Sequence, residues 1–172
     1  MVGGKINMSY RKWLVSMSMV AAAAALCGCE DSQRVAKAST PSDSIQRGEY
    51  LVRVAGCNDC HTPGYLVTDG KTPVEDWLTG DSLGWNGPWG TTYASNLRLR
   101  FQDFRSKEEW VEYARMIRPM PPMPWFNLAA MTDEDLGAIY DFVRHLGPKG
   151  NAAPSTVPVD GTPQGPIVRF PM

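Results

Sequence analysis

The sequence is poor in the residue types on which most protein metal and thiol chemistry depends. Two histidines, His61 and His145, and four cysteines occur in 172 residues. A structural zinc site needs four ligands, usually from two Cys/His pairs at similar spacing, and the one pair here has no second. No alternation of strand and helix surrounds Cys57 and Cys60, as the setting of a thiol–disulfide oxidoreductase would require. No basic patch or charge run points to nucleic acid, and the formal net charge is −1. The apolar run at residues 13–26 is too short to span a bilayer comfortably. No internal repeat is visible.

What is present is ordinary globular composition, 43% apolar and 20% charged, suited to one domain with a modest core. Fourteen prolines and 16 glycines predict long irregular segments. Arg11 and Lys12 precede the run WLVSMSMVAAAAAL, and small residues follow, which is the layout of an export signal. The run ends in LCGC, Leu26 to Cys29, which resembles the bacterial lipobox. That resemblance implies Cys29 as the lipidated first residue of a mature chain; the alternative is a soluble secreted protein cut nearby. Removing residues 1–28 leaves 14 basic and 18 acidic residues, net −4. Several acyl chains on Cys29 would hold a membrane where one anchors weakly.

Residues 29–43 are small and polar without periodicity and predict a flexible tether. Structure is expected from residue 44, where Ile45, Leu51, Val52 and Ala55 mark a short helix ended by Gly56. Residues 62–105 show no sustained period, unusual in a compact domain unless the segment is functional or packs around something. Helical spacing returns at SKEEWVEYARMI, with Trp110, Ala114 and Ile117 on one face and Ser106 with Glu109 as a capping box. The clearest helix is TDEDLGAIYDFVRHLG, capped by Thr132 and ended by Gly147–Pro148. Its stripe is Leu136, Ile139, Tyr140, Val143 and Leu146. Residues 148–172 predict an extended strap rich in Pro and Gly. The expected fold is all-α, three main helices over residues 44–147, with so few core candidates that something else should fill the centre.

CNDCH, Cys57 to His61, names a candidate for that centre. C-x-x-C-H is the c-type haem attachment signature: two thiols bond the porphyrin vinyl groups and the adjacent imidazole reaches the iron. Zinc and a plain disulfide compete, but the first lacks ligands and the second leaves His61 unexplained. With this motif the chain resembles the class I monohaem cytochromes c over about residues 44–147. The resemblance rests on a helix running into C-x-x-C-H, a wandering loop, a methionine loop and an acid-started final helix. It implies one covalently attached haem c, and a glycine of the first helix packed on an aromatic of the last, for which Gly48 with Tyr140 or Phe142 fit. PPMPW, MTDEDLGAIYDFV and CNDCHT further resemble the cytochrome subunits found beside bacterial membrane dehydrogenases.

A low-spin electron-transfer haem needs a sixth ligand. His145 falls opposite Leu136 on the last helix and should face solvent. Met116 belongs to the middle helix. That leaves Met120 and Met123 in RPMPPMPW. In polyproline II both sulfurs would face one side about 9 Å apart, so one iron takes only one. Met123 lies 62 residues after His61 and ten before Asp133, the family-like spacing, and is the first candidate, with Met120 the alternative. Trp85, Trp89, Tyr93, Asn96 and Arg98 are candidates for haem propionate contacts, loop packing being the competing role. The resemblance implies a periplasmic, membrane-anchored carrier of single electrons rather than an enzyme, exchanging with redox proteins. Alternatives are an obligate subunit of a membrane dehydrogenase, a haem peroxidase or gas sensor with an open distal site, and a module in which haem merely staples the fold.

Overall fold

The computed structural model describes residues 40–171. The expected export signal, the lipidated Cys29 and most of the tether lie outside the described residues. The first helix, α1 (Pro41–Val54), starts three residues before the expected boundary. Its start is chemically well defined: Thr40 accepts from the Asp43 amide while the Asp43 carboxylate accepts from the Thr40 amide, with Pro41 in the first turn. Gly56, at φ 73°, turns the chain into α2 (Cys57–His61). Three further short or medium helices follow, α3 (Leu97–Arg100), α4 (Lys107–Met116) and α5 (Trp125–Ala130). The last is α6 (Asp133–Leu146), capped by Thr132 as expected.

The all-α expectation is overturned. Alongside six helices, the described residues hold a three-stranded mixed sheet, β1 (Gly84–Gly87), β2 (Gly90–Tyr93) and β3 (Ile167–Arg169), ordered β2-β1-β3. The hairpin β1–β2 is antiparallel, with Gly84 opposite Tyr93. The strap then returns and pairs β3 parallel to β1, Trp85 opposite Val168. Four-residue strands bounded by glycine are too short to print a period-two pattern, and β3 comes from about eighty residues away along the chain. The terminal strap is therefore part of the sheet.

The core is also fuller than expected. Helices α1 and α6 pack so closely that a Cβ on Gly48 would lie 2.0 Å from the Ala138 carbonyl and 2.6 Å from the Phe142 Cβ. Phe142, not Tyr140, is thus the aromatic against this glycine. Around that contact gather Val52, Leu136 and Val143, and aromatics from segments without helical pattern: Trp77, Phe101 and Phe104. Phe101 stacks on Trp110 at 4.4 Å. The buried Trp110 satisfies its indole N–H on the Leu136 carbonyl at 2.8 Å, which fastens α4 to α6. At α4, only half the expected capping box forms: Ser106 accepts from the Glu109 amide, while the Glu109 carboxylate takes the Arg105 amide.

Candidate haem attachment site

The short helix α2 carries Cys57, Cys60 and His61 within one and a half turns. Two hydrogen bonds at His61, one on its main chain and one on its ring, fix the orientation. The His61 carbonyl accepts from the Gly80 amide at 2.8 Å, and the ring Nδ1 lies 2.8 Å from the Ser95 carbonyl. A carbonyl can only accept, so Nδ1 carries the proton and Nε2 keeps its lone pair. Nε2 has no hydrogen-bond partner among the described residues, yet it is not sealed in as an orphaned atom. Burial holds the His61 pKa below its ordinary value against the opposing Ser95 bond, so the ring is neutral at pH 7.

Next to it, Thr62 Oγ1 donates to Asn58 Oδ1 at 2.7 Å and accepts from the Leu78 amide at 2.8 Å. Leu78 is fully buried with φ 63°, a left-handed backbone that leucine rarely adopts. Its carbonyl accepts from Leu97 and Arg98, so the 78–80 turn is clamped between α2 and the start of α3. None of these anchors was visible in the sequence. Ser95, Gly80 and Leu78 act through main-chain atoms, and no residue type announces a carbonyl's role.

Both thiols are free. Burial, more than the neighbouring Asp59 and Cys60, pushes the Cys57 thiol up to about 11. Cys60 is raised as well, by burial and then by Asp59 and Asp81. A thiol–disulfide oxidoreductase depends on a thiol lowered toward neutrality, the opposite direction. Among the described residues no three His, Cys, Asp or Glu side chains gather where they could hold one metal ion. The two thiols and the imidazole therefore do not converge as a zinc centre would require. Two anchoring thiols beside an imidazole of fixed tautomer fit the donor set of an attached haem. Haem supplies an iron that gains and loses one electron, and Cys57, Cys60 and His61 would hold it.

Met123 is half-buried, whereas Met120 is 45% exposed. A turn at Pro121–Pro122 separates them, so the segment is not one polyproline run. Thr92 Oγ1 donates to the Pro121 carbonyl at 2.7 Å, which ties the methionine segment to β2. The same strand leads into Ser95, so one hairpin braces both the methionine loop and His61. His145 is exposed, as its helical position implies.

The five loop candidates make their hydrogen bonds to the chain itself. Trp89 Nε1 donates to the Trp85 carbonyl, and both rings pack on Phe170 of the strap, at 5.4 and 6.1 Å. The Tyr93 hydroxyl donates to the Gln164 carbonyl. Asn96 Nδ2 donates to the Lys149 and Asn151 carbonyls at 2.8 and 3.0 Å. Buried Arg98 donates to the carbonyls of Leu146, Gly147, Glu75 and Trp77. Together they knit strap, hairpin and final helix. Hollows of about 180 Å³ beside Asn151–Pro154 and about 630 Å³ beside Lys107 and Arg144 lie elsewhere; neither is lined by Cys57, Cys60, His61 or Met123. No helix among the described residues is long and apolar enough to cross a membrane. Compared with protein-family models, curated proteins and solved structures, the chain matches none.

Proposed function

We propose that the protein is a c-type cytochrome that carries single electrons, exported and held at the periplasmic face of a membrane through Cys29. The observation that carries this is the imidazole of His61, its Nδ1–H committed to Ser95 and its Nε2 free, immediately after a C-x-x-C pair of free thiols. A neutral imidazole is ready to act as a ligand without first losing a proton. Thiols that stay protonated avoid spontaneous disulfide exchange before attachment. Thioether bonds through Cys57 and Cys60 would retain the cofactor outside the cell. Met123, half-buried in a proline-rich segment, would be the second residue to hold the iron, and a soft thioether would favour the reduced metal. With His61 and Met123 both holding the iron, the role would be electron exchange with redox proteins, a membrane dehydrogenase being one candidate donor.

The test is expression of the full chain with a cytochrome c maturation system. Haem should stay with the polypeptide under denaturing conditions and give the haemochrome spectrum of two saturated vinyl groups. The Cys57→Ser/Cys60→Ser chain should lose it. A purified chain carrying zinc, or a Cys57–Cys60 disulfide and no haem, overturns the proposal.

A further inference from the structure

We infer that Asn96 is a positioning residue through which the C-terminal strap sets the hydrogen bond on the His61 ring; this rests on the haem reading above. The chain of contacts is continuous. The ring Nδ1 donates to the Ser95 carbonyl at 2.8 Å. The next residue, Asn96, is 4% exposed, and its side chain has every polar atom engaged. Its Oδ1 accepts from the Leu99 amide at 3.0 Å, capping α3, and its Nδ2 donates to the Lys149 and Asn151 carbonyls. The strap residue between those two carbonyls, Gly150, sits at φ 77°, and a Cβ there would lie 3.3 Å from Asn96 Nδ2. Glycine adopts this φ without strain and leaves the amide room between the two carbonyls.

The peptide plane that holds the Ser95 carbonyl toward His61 is the Ser95–Asn96 peptide. Locking Asn96 from two directions therefore fixes where that carbonyl points. The strength of the Nδ1–H bond governs how basic Nε2 is, because a ring N–H donated to an acceptor pushes electron density toward the other nitrogen. Through this link a segment beyond the last helix would tune the donor strength of His61 Nε2. Arg98 reinforces the arrangement by holding the carbonyls of Leu146 and Gly147, where the strap begins.

Asn96→Ser separates the two roles of the side chain. Serine still caps α3, since its hydroxyl can accept from the Leu99 amide, but it has no amide to reach the strap. Gly150→Ala attacks the same contact from the strap side and leaves Asn96 intact. It serves if Asn96→Ser does not accumulate. Phe170→Ala loosens the strap at its far end, against Trp85 and Trp89, and is the control. In the reduced holoprotein, the His61 Nδ1 proton is followed by NMR solvent exchange and the reduction potential by titration. We expect exchange about tenfold faster in Asn96→Ser and in Gly150→Ala, the order set by losing one or two ordinary hydrogen bonds. The potential should shift upward in both, because a less basic imidazole stabilises ferric iron less. Phe170→Ala acts on the hairpin and reaches Ser95 only through β2, so it should move both readouts less than either direct variant. The inference is overturned if both direct variants match wild type, or if Phe170→Ala moves the readouts equally. A wild-type chain without covalent haem would sink the functional proposal instead, and the exchange comparison in that chain would still decide the Asn96 link.

Discussion

His61 is buried as a neutral ring, and that fixes how a haem-free chain responds to acid. Its pKa is lowered on folding from an ordinary value of 6.5, chiefly by burial. The unfolded chain thus binds a proton more readily than the folded one, so stability is full above about pH 6.5 and falls as the pH drops toward the lowered folded value. In the Cys57→Ser/Cys60→Ser chain, the urea midpoint should fall between pH 7.5 and pH 5, and His61→Gln should flatten most of that fall. Equal slopes in both chains would show that His61 is not the group responsible. The two loop methionines divide at the same scale. Met123→Leu should abolish the red charge-transfer band of ferric methionine ligation, while Met120→Leu, altering a side chain already 45% exposed, should leave it. A retained band in Met123→Leu would reverse the assignment.

At the scale of elements, the contact of α1 with α6 is the tightest point of the helical layer. Gly48→Ala would push a methyl into the Ala138 carbonyl, a main-chain atom that cannot move without displacing the helix. We expect a loss of about 3 kcal/mol in urea unfolding, near the upper range for overpacking. Gly137→Ala is the contrast: the nearest atoms to its Cβ belong to the Lys107 side chain, at 2.8 Å, a flexible stem that can shift with the loss of at most a partly exposed ion pair with Asp141. Replacing a helical glycine by alanine favours the helix by up to about 1 kcal/mol, so this variant should be close to neutral or better. Comparable losses in the two would mean that α1 and α6 do not set the fold's tolerance. These two faces were legible in the sequence because α6 repeats its apolar residues at helical spacing and Thr132 begins it unambiguously. Thr40 was not, since a capping Thr-Pro-Ser-Asp lies inside a polar stretch that resembles a linker. The hairpin was not either, because Gly84–Tyr93 is held by Phe170 and Val157, residues whose approach no local pattern announces.

Over the whole molecule, two kinds of long-range closure operate, and they should separate experimentally. The helical layer closes through α1 and α4 on α6: Arg47 of α1 bridges to Asp135, and Asp141 is shared by Ser44 of α1 and Lys107 of α4. The sheet closes only when the strap arrives: the Gly84 amide donates to the Pro166 carbonyl, and Thr91 exchanges two main-chain hydrogen bonds with Val157. Gly90, at φ 94°, would place a Cβ 2.3 Å from the Val157 carbonyl, so the approach depends on that residue having none. A two-stranded hairpin of four-residue strands is marginal without further pairing. Ending the chain after Pro148 should therefore leave the α1–α6 layer folded, with helical circular dichroism close to that of the full chain. The amides of Gly84 and Thr91 should lose their protection from hydrogen exchange, while those of α6 keep theirs. Global loss of helical signal would show that strap and helices form one cooperative unit, and unchanged protection at Gly84 and Thr91 would show that the strap does not hold the hairpin. The expected split follows from which carbonyls the strap supplies: it completes the sheet and the Ser95–Asn96 corner beside His61, and the buried face of α6 packs mainly on α1 and α4.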